Sequence, residues 1–176
     1  EHLTLATTDI VILLQNQIRS FDILANEKNI DLVFESESSS YITAIDEQKM
    51  EKVIENLLSN AIKYSLPDST VRITLHCNPQ RWLLTVNDNG IGISEAATRK
   101  LFSEFYRGEN AINSKIIGSG IGLLIIRDYV AMHKGKVTVS SKEGAGSTFS
   151  IEVPYQETDV QRNSSTDRAV LTPKNP

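Results

Sequence analysis

The stretch "NLLSNAIKYS", Asn56–Ser65, sets two asparagines, a lysine and a tyrosine into a segment that its neighbours mark as helical. At roughly 100° per residue, Met50, Ile54, Leu57, Leu58 and Ala61 fall on one apolar arc. Asn56, Asn60 and Lys63 gather on the opposite side, with Val53 and Tyr64 at the boundary. A solvated face is the ordinary explanation. Against it, asparagine is a poor helix former, costing about 0.7 kcal/mol relative to alanine, and a pair at i and i+4 brings no charge pair in return. Amide oxygens on adjacent turns, with an ammonium one turn further on, would suit a magnesium ion and the phosphates it neutralises. The helix alone leaves both readings open.

Around this helix the pattern alternates. Asp46 is placed to cap its start, and "SLPDS" ends it after Tyr64. Upstream, Leu14, Ile18, Phe21 and Ala25 recur at helical spacing, which predicts a helix from Thr8 to about Lys28, followed by strands at "IDLVFES" and "YITAI". Downstream, "TVRITLHCN" and "RWLLTVND" alternate about the turn-like "NPQ" and predict a hairpin. A short helix is expected over Ser94–Ser103, a loop over Glu104–Ser119, a helix over Ile121–His133, and a closing hairpin of "KVTVSS" with "STFSIEVP". Helices and hairpins in this order imply an α+β domain of two layers, a mostly antiparallel sheet covered on one face by helices.

Two glycine-bearing segments follow the polar helix. In "VNDNGIGIS" an apolar strand runs into Asp88 and then Gly90 and Gly92. Asp-Asn-Gly is a favoured turn sequence, but one turn needs one glycine, and the second suggests close backbone approach to something. Asp88 at a strand end could accept a hydrogen bond from an exocyclic amine of the kind a purine offers. In "GSGIGLLIIRDYVAMHKG", glycines at i, i+2 and i+4 lead into an apolar helix whose free N–H groups would suit a phosphate. A flexible linker with a helix cap explains the same residues, and the spacing is neither GxxxxGK[ST] nor GxGxxG.

Composition bounds the rest. With 176 residues, 40% hydrophobic, and a formal net charge of −4, the chain reads as one globular domain with no electrostatic footprint for nucleic acid. The single cysteine, Cys77, permits no internal disulfide and favours a reducing compartment, so the sequon at Asn163 carries little weight. No run of about 18 apolar residues or charged leader is seen. From about Gln156 the sequence turns polar and ends in prolines, as a disordered tail or linker would.

Taken in order, "NLLSNAIKYS", "DNGIGI", "LFSEFYRGE" and "GSGIGL" resemble the N, G1, F and G2 boxes of the catalytic and ATP-binding domain of sensor histidine kinases. The resemblance covers about Ile30 to Tyr155, and "GAGSTFSIEVP" fits it as well. It implies a Bergerat-type fold of the GHKL superfamily, with ATP and Mg2+ as ligands, and a domain over 9–155. Residues 1–8 would then be the end of an upstream helical hairpin or a linker, and 156–176 a tail.

Residue by residue, the resemblance implies that Asn60 binds magnesium, with Asn56 contributing directly or through water. Lys63 would meet phosphates and Tyr64 would pack on adenine or ribose. Asp88 would read the adenine amine beside a wall of Gly90, Gly92 and Ile93. Gly118, Gly120, Gly122 and Leu123 match the phosphate-side loop and helix start, and Thr148 a strand lining the adenine side. Glu104–Ser119 would be the ATP lid, with Arg107 reaching the terminal phosphate, Tyr106 beside the nucleotide, and Phe102 and Phe105 as lid anchors on the core.

Gyrase, Hsp90, mismatch-repair ATPases and the serine kinases that control sigma factors place a glutamate where this chain has Asn56. A carboxylate there can act as general base, whereas an amide cannot. Asn56 therefore argues for transfer to an already nucleophilic imidazole. That imidazole belongs to the family's H box, a histidine followed by an acidic residue on an upstream hairpin, and none of His2, His76 and His133 matches it. The implied partners are that hairpin and a response-regulator receiver domain, separate or fused, within a homodimeric, membrane-anchored sensor whose catalytic domain is cytoplasmic. A GHKL-type ATPase and a degenerate ATP-binding scaffold are the alternatives.

Overall fold

The computed structural model describes residues 2–107 and 121–158, the side chains of 102–107 and 121 lying outside that description. Its elements are β1 (Ala6–Asp9), α1 (Ile10–Ser20), α2 (Asp22–Glu27), β2 (Asp31–Ser36), β3 (Ile42–Ile45) and α3 (Glu47–Tyr64). Then follow β4 (Thr70–Asn78), β5 (Arg81–Asp88), α4 (Glu95–Arg107), α5 (Ile121–Met132), β6 (Lys136–Ser141) and β7 (Ser147–Pro154). The larger sheet has the order β2-β4-β5-β7-β6, parallel between β2 and β4 and antiparallel elsewhere; β1 and β3 form a separate antiparallel pair.

The sheet's alternation decides which side the helices cover. Val71, Ile73 and Leu75 of β4, Trp82, Leu84 and Val86 of β5, and Ile151 and Val153 of β7 are all buried in one core with α1, α3 and α5. The intervening positions of β4, such as Arg72 and His76, are exposed, so one face is packed and the other meets water. α3 packs on β5 and touches α1 and α5. It starts where the Asp46 carboxylate accepts the Lys49 N–H, and it buries Met50, Val53, Ile54, Leu57, Leu58, Ala61 and Ile62. This is the two-layer α+β architecture the sequence predicts.

Three local expectations are corrected. The helix expected over Thr8–Lys28 is a strand and two helices. Thr7 and Thr8, β-branched, pair with Ala44 and Thr43, and the Asp9 side chain then caps α1 by accepting the Val11 N–H. At the other end of α1, the Ser20 hydroxyl donates to Gln17 O and the Phe21 N–H to Ile18 O, which tightens the last turn and breaks the helix at Phe21. The loop expected from Glu104 begins later, because α4 continues to Arg107. Gln156, expected to open the tail, is held by its own backbone to Thr43 and Ala44 and by its side chain to His133 O.

Candidate nucleotide site

The carbonyl end of α3, the end of β5 and the start of β7 enclose a pocket of about 440 Å³ including its open mouth. It is lined by Asn60, Ala61, Tyr64, Asp88, Ile91, Gly92, Ile93, Ser147 and Phe149, an apolar slot with few polar groups. Asn60 and Tyr64 sit four residues apart on α3 and therefore share a face. Lys63 is exposed beside them, its Nζ 5.2 Å from the centre of the Tyr64 ring.

Asp88 ends β5 on the helix-covered face and is only 5% exposed. Its Oδ1 accepts the N–H of Gly90 at 2.9 Å and of Ser147 at 3.3 Å. Among the described residues, Oδ2 has no hydrogen-bond donor, although the carboxylate borders the pocket. Burial raises the Asp88 pKa above the usual aspartate value, and the two backbone N–H groups oppose the rise. A ligand amine meeting Oδ2 would complete its hydrogen bonding, which an apolar ligand would not do.

The glycines make the close approaches. Gly92 and Gly146 have φ of +69° and +83°, and a Cβ on either would collide with backbone, Lys142 O for the first and Asp88 O for the second. A Cβ on Gly90 would collide with Tyr64 O and come within 2.6 Å of Asp88 Oδ1. At Gly122 the obstacle would be the Asn56 Oδ1, so the start of α5 lies directly against α3. The Asn56 amide nitrogen donates to Lys52 O at 2.6 Å, which turns its oxygen toward α5.

Of the residues expected here, Asn60, Tyr64, Asp88, Gly92 and Ile93 line the pocket, Gly90 backs it, and Asn56 with Gly122 flanks it at the α3–α5 contact. Leu123 packs between the main core and the small cluster of Ile93, Leu101 and Val139. Thr148 is a correction. It pairs with Asn87 and accepts its side-chain amide at 2.7 Å on the opposite face of the sheet, while Ser147, paired with Asp88, faces the pocket. The period of two along β7, read outward from buried Ile151 and Val153, would have placed 147 and 149 rather than 148 on this face. Ile91, Phe149 and Ala61 were also missed, each reading as ordinary apolar filling. Gly118, Gly120 and the side chains of Tyr106 and Arg107 lie outside the described residues.

Residues 45–157 match the model of the histidine kinase-, DNA gyrase B-, and HSP90-like ATPase family. The chain belongs to that family. It is 33% identical over 136 residues to the sensor histidine kinase WalK of Bacillus subtilis, which covers 76% of this chain and 22% of that protein. To a sensor protein kinase WalK of Staphylococcus aureus it is 34% identical over 131 residues, 73% of this chain and 32% of that one. The chain thus spans a third or less of these relatives. Among solved structures it is similar to full-length ShkA in complex with AMPPNP, with a TM-score of 0.76 and 26% identity over 90% of this chain and 32% of ShkA. The catalytic domain of histidine kinase ThkA superposes with a TM-score of 0.75 and 25% identity over 88% of this chain and 100% of ThkA.

An ATPase-family domain handles phosphates, and the donors present fit one metal better than others. Among the described residues no group of three or more His, Cys, Asp or Glu side chains is arranged to hold a metal ion. What the α3 face offers is amide oxygen, at half-buried Asn60 and Asn56. That is a hard, neutral, incomplete donor set, suited to a magnesium ion that keeps waters and takes phosphate oxygens, and unsuited to zinc or copper. His133 is fully buried, its Nδ1 at 2.6 Å from Tyr129 O and its Nε2 accepting the Asp46 N–H at 3.0 Å, so it serves as a structural bridge between α5 and α3. No helix among the described residues is long and apolar enough to cross a membrane.

Proposed function

We propose that this domain binds Mg-ATP and transfers its γ-phosphoryl group to a histidine on a separate helical hairpin of the parent protein, for relay to a receiver-domain aspartate. The observation that carries the reading is Asp88: a buried carboxylate, fixed through Oδ1 by two backbone N–H groups, with Oδ2 open to an apolar slot. Such a carboxylate accepts from the exocyclic amine of adenine and repels the carbonyl that guanine carries at the same position.

In this reading Tyr64, Ile91, Ile93 and Phe149 cover the purine, and Ser147 stands next to Asp88. Lys63 meets the phosphates, with Arg107 approaching the terminal one and Tyr106 beside the nucleotide. Gly118, Gly120 and Gly122 would let backbone approach the phosphates, with N–H groups of a helix N-terminus as donors. Asn60 and Asn56 would hold magnesium, which supplies charge neutralisation when bound. The imidazole nitrogen attacks the γ-phosphorus in line, the bond to the ADP oxygen breaks, and ADP departs. This domain contributes positioning and charge compensation rather than a base. Asn56 cannot take a proton from water or serine, which is why histidine fits as the acceptor.

The domain, expected over 9–155, would take in β1 from Ala6 and extend to Gln156, with the residues before it leading in from the hairpin or a linker and those after it leading away, in a parent that is a homodimeric, membrane-anchored sensor with this part in the cytoplasm. The direct test mixes the chain with a separately supplied hairpin domain and labelled ATP. Label appearing on the hairpin histidine supports transfer. Steady phosphate release without transfer would make the chain an ATPase instead, and tight ATP binding with neither would make it a scaffold.

A further inference from the structure

The carbonyl end of α3 carries Asn60, Lys63 and Tyr64, yet the last four carbonyls of a helix have no partner within it. Here they are closed from outside. The Lys28 ammonium, at the end of α2, donates to Ile62 O at 2.8 Å, Lys63 O at 3.0 Å and Ser65 O at 2.8 Å. Tyr64 O, skipped by that lysine, accepts the Ile91 N–H at 3.3 Å from the pocket's glycine segment. The same corner is stitched twice more. Lys28 O accepts the Asp68 N–H at 3.2 Å, and the Asn29 amide donates to the Asp68 carboxylate at 2.5 Å. Asn29 and Asp68 both hold positive φ, 55° and 60°.

We propose that Lys28, remote in sequence from every box and absent from the pocket lining, is a positioning residue for the nucleotide pocket. Its three hydrogen bonds satisfy the carbonyls on either side of Tyr64 and leave Tyr64 O to the Ile91 N–H, and so fix the turn that presents the Tyr64 ring and the Asn60 amide. Its positive charge also matches the negative end of the α3 dipole. Without it, three carbonyls at this helix end lose the single donor that ties them together, and separate water molecules in its place would let the turn loosen and carry Tyr64 away from Ile91. The inference rests on the proposal that this pocket binds adenine nucleotide.

The test measures calorimetric Kd for ADP and for AMPPNP with magnesium on the unaltered chain, Lys28→Met and Lys28→Arg, together with each protein's unfolding temperature. Lys28→Met should weaken both nucleotides by a common factor of about ten, as losing a supporting contact behind a ligand-binding group does. Exchange of the Ile91 amide should quicken in that variant. Lys28→Arg, which keeps charge and several donors, should restore most of the affinity and the slow exchange. An unchanged Kd in a Lys28→Met protein whose unfolding temperature has fallen would make Lys28 a helix cap only and overturn the inference. So would an arginine variant as weak as the methionine one. Should Lys28→Met not fold, Lys28→Gln, with one amide donor, is read by the same criterion. Failure of the unaltered chain to bind either nucleotide overturns the pocket reading first, and this inference with it.

Discussion

A Cβ on Gly122 would overlap the side-chain oxygen of Asn56, so the first turn of α5 reaches α3 by virtue of having no side chain at that point. The obstacle is the far end of a side chain, tied through its nitrogen to Lys52 O. Gly122→Ala should therefore fold, since alanine is favoured over glycine inside a helix by about 1 kcal/mol and Asn56 can swing aside. The swing should weaken the magnesium-dependent part of nucleotide affinity. An unfolding temperature near that of the unaltered chain, combined with weaker AMPPNP binding in magnesium, is the expected pair; unaltered binding would detach Asn56 from the site.

Asp88→Asn separates stability from recognition. Because burial raises the Asp88 pKa, the folded state binds its proton more readily than the unfolded chain does, so ionisation at neutral pH costs stability. That cost is absent below the ordinary aspartate value of 3.8 and grows as pH rises through the raised folded value. The asparagine variant carries no such charge, and its carbonyl can still accept from Gly90 and Ser147. Stability at pH 7 should hold or rise, while affinity for adenine nucleotides falls and the preference over GTP analogues shrinks. Equal loss for ATP and GTP analogues would count against Asp88 as the reader of adenine.

Much of this architecture is legible from spacing. The apolar arc of α3, the alternation of β4 and β5 and the turn at "NPQ" each follow from local chemistry, and local chemistry prevailed. Part of what escaped depends on partners far along the chain. "ATTD" is a strand because β3 is available to pair with it, and no periodicity in four residues announces that. Phe21 continues the helical spacing while the Ser20 hydroxyl interrupts the helix itself. At the site, the boxes mark Asn60, Tyr64 and Asp88, but Ser147 differs from Thr148 by one position in a strand, where one position exchanges the faces of the sheet. Lys28 is the far case, a surface-type residue whose acceptors are 34, 35 and 37 positions away.

Gly144 and Gly146 offer a matched comparison. Both hold positive φ, 77° and 83°, so alanine at either pays the left-handed strain of about 1 kcal/mol. At Gly144 nothing lies within 4 Å of the added methyl, whereas at Gly146 the methyl meets the Asp88 carbonyl. Gly144→Ala should lower the unfolding temperature by a few degrees, about what 1 kcal/mol gives in a domain of this size. Gly146→Ala should unfold the domain or displace β7 from Asp88. Comparable melting of the two variants would contradict the close approach.

His133 sets an acid limit. Burial depresses its pKa below the ordinary 6.5, with Tyr129 O and the Asp46 carboxylate opposing that effect and Lys49 reinforcing it. The unfolded chain then binds a proton that the folded one refuses. The stabilisation is complete above about pH 6.5 and is lost as pH falls from there toward the depressed folded value. Protonation would also remove the lone pair that accepts the Asp46 N–H. Unfolding temperature should fall between pH 7 and 5 in the unaltered chain, and a His133→Gln variant, less stable at pH 7, should show a flatter profile. Parallel profiles for the two proteins would assign the acid sensitivity elsewhere.

Asn60 and Asn56 occupy adjacent turns but different surroundings, and this makes their roles separable. Asn60 lines the pocket, whereas Asn56 is tied to Lys52 O and faces Gly122. If Asn60 contributes its amide oxygen to magnesium, then Asn60→Ala should leave ADP affinity in a chelator nearly unchanged, because the purine contacts of Asp88 and Tyr64 remain. In magnesium, the variant should gain little of the additional AMPPNP affinity that the unaltered chain gains. The deficit arises where a hard cation loses a hard donor, so it should narrow as magnesium concentration rises. Equal weakening with and without magnesium would instead make Asn60 part of the purine wall, and the metal would then depend on phosphate oxygens and Asn56.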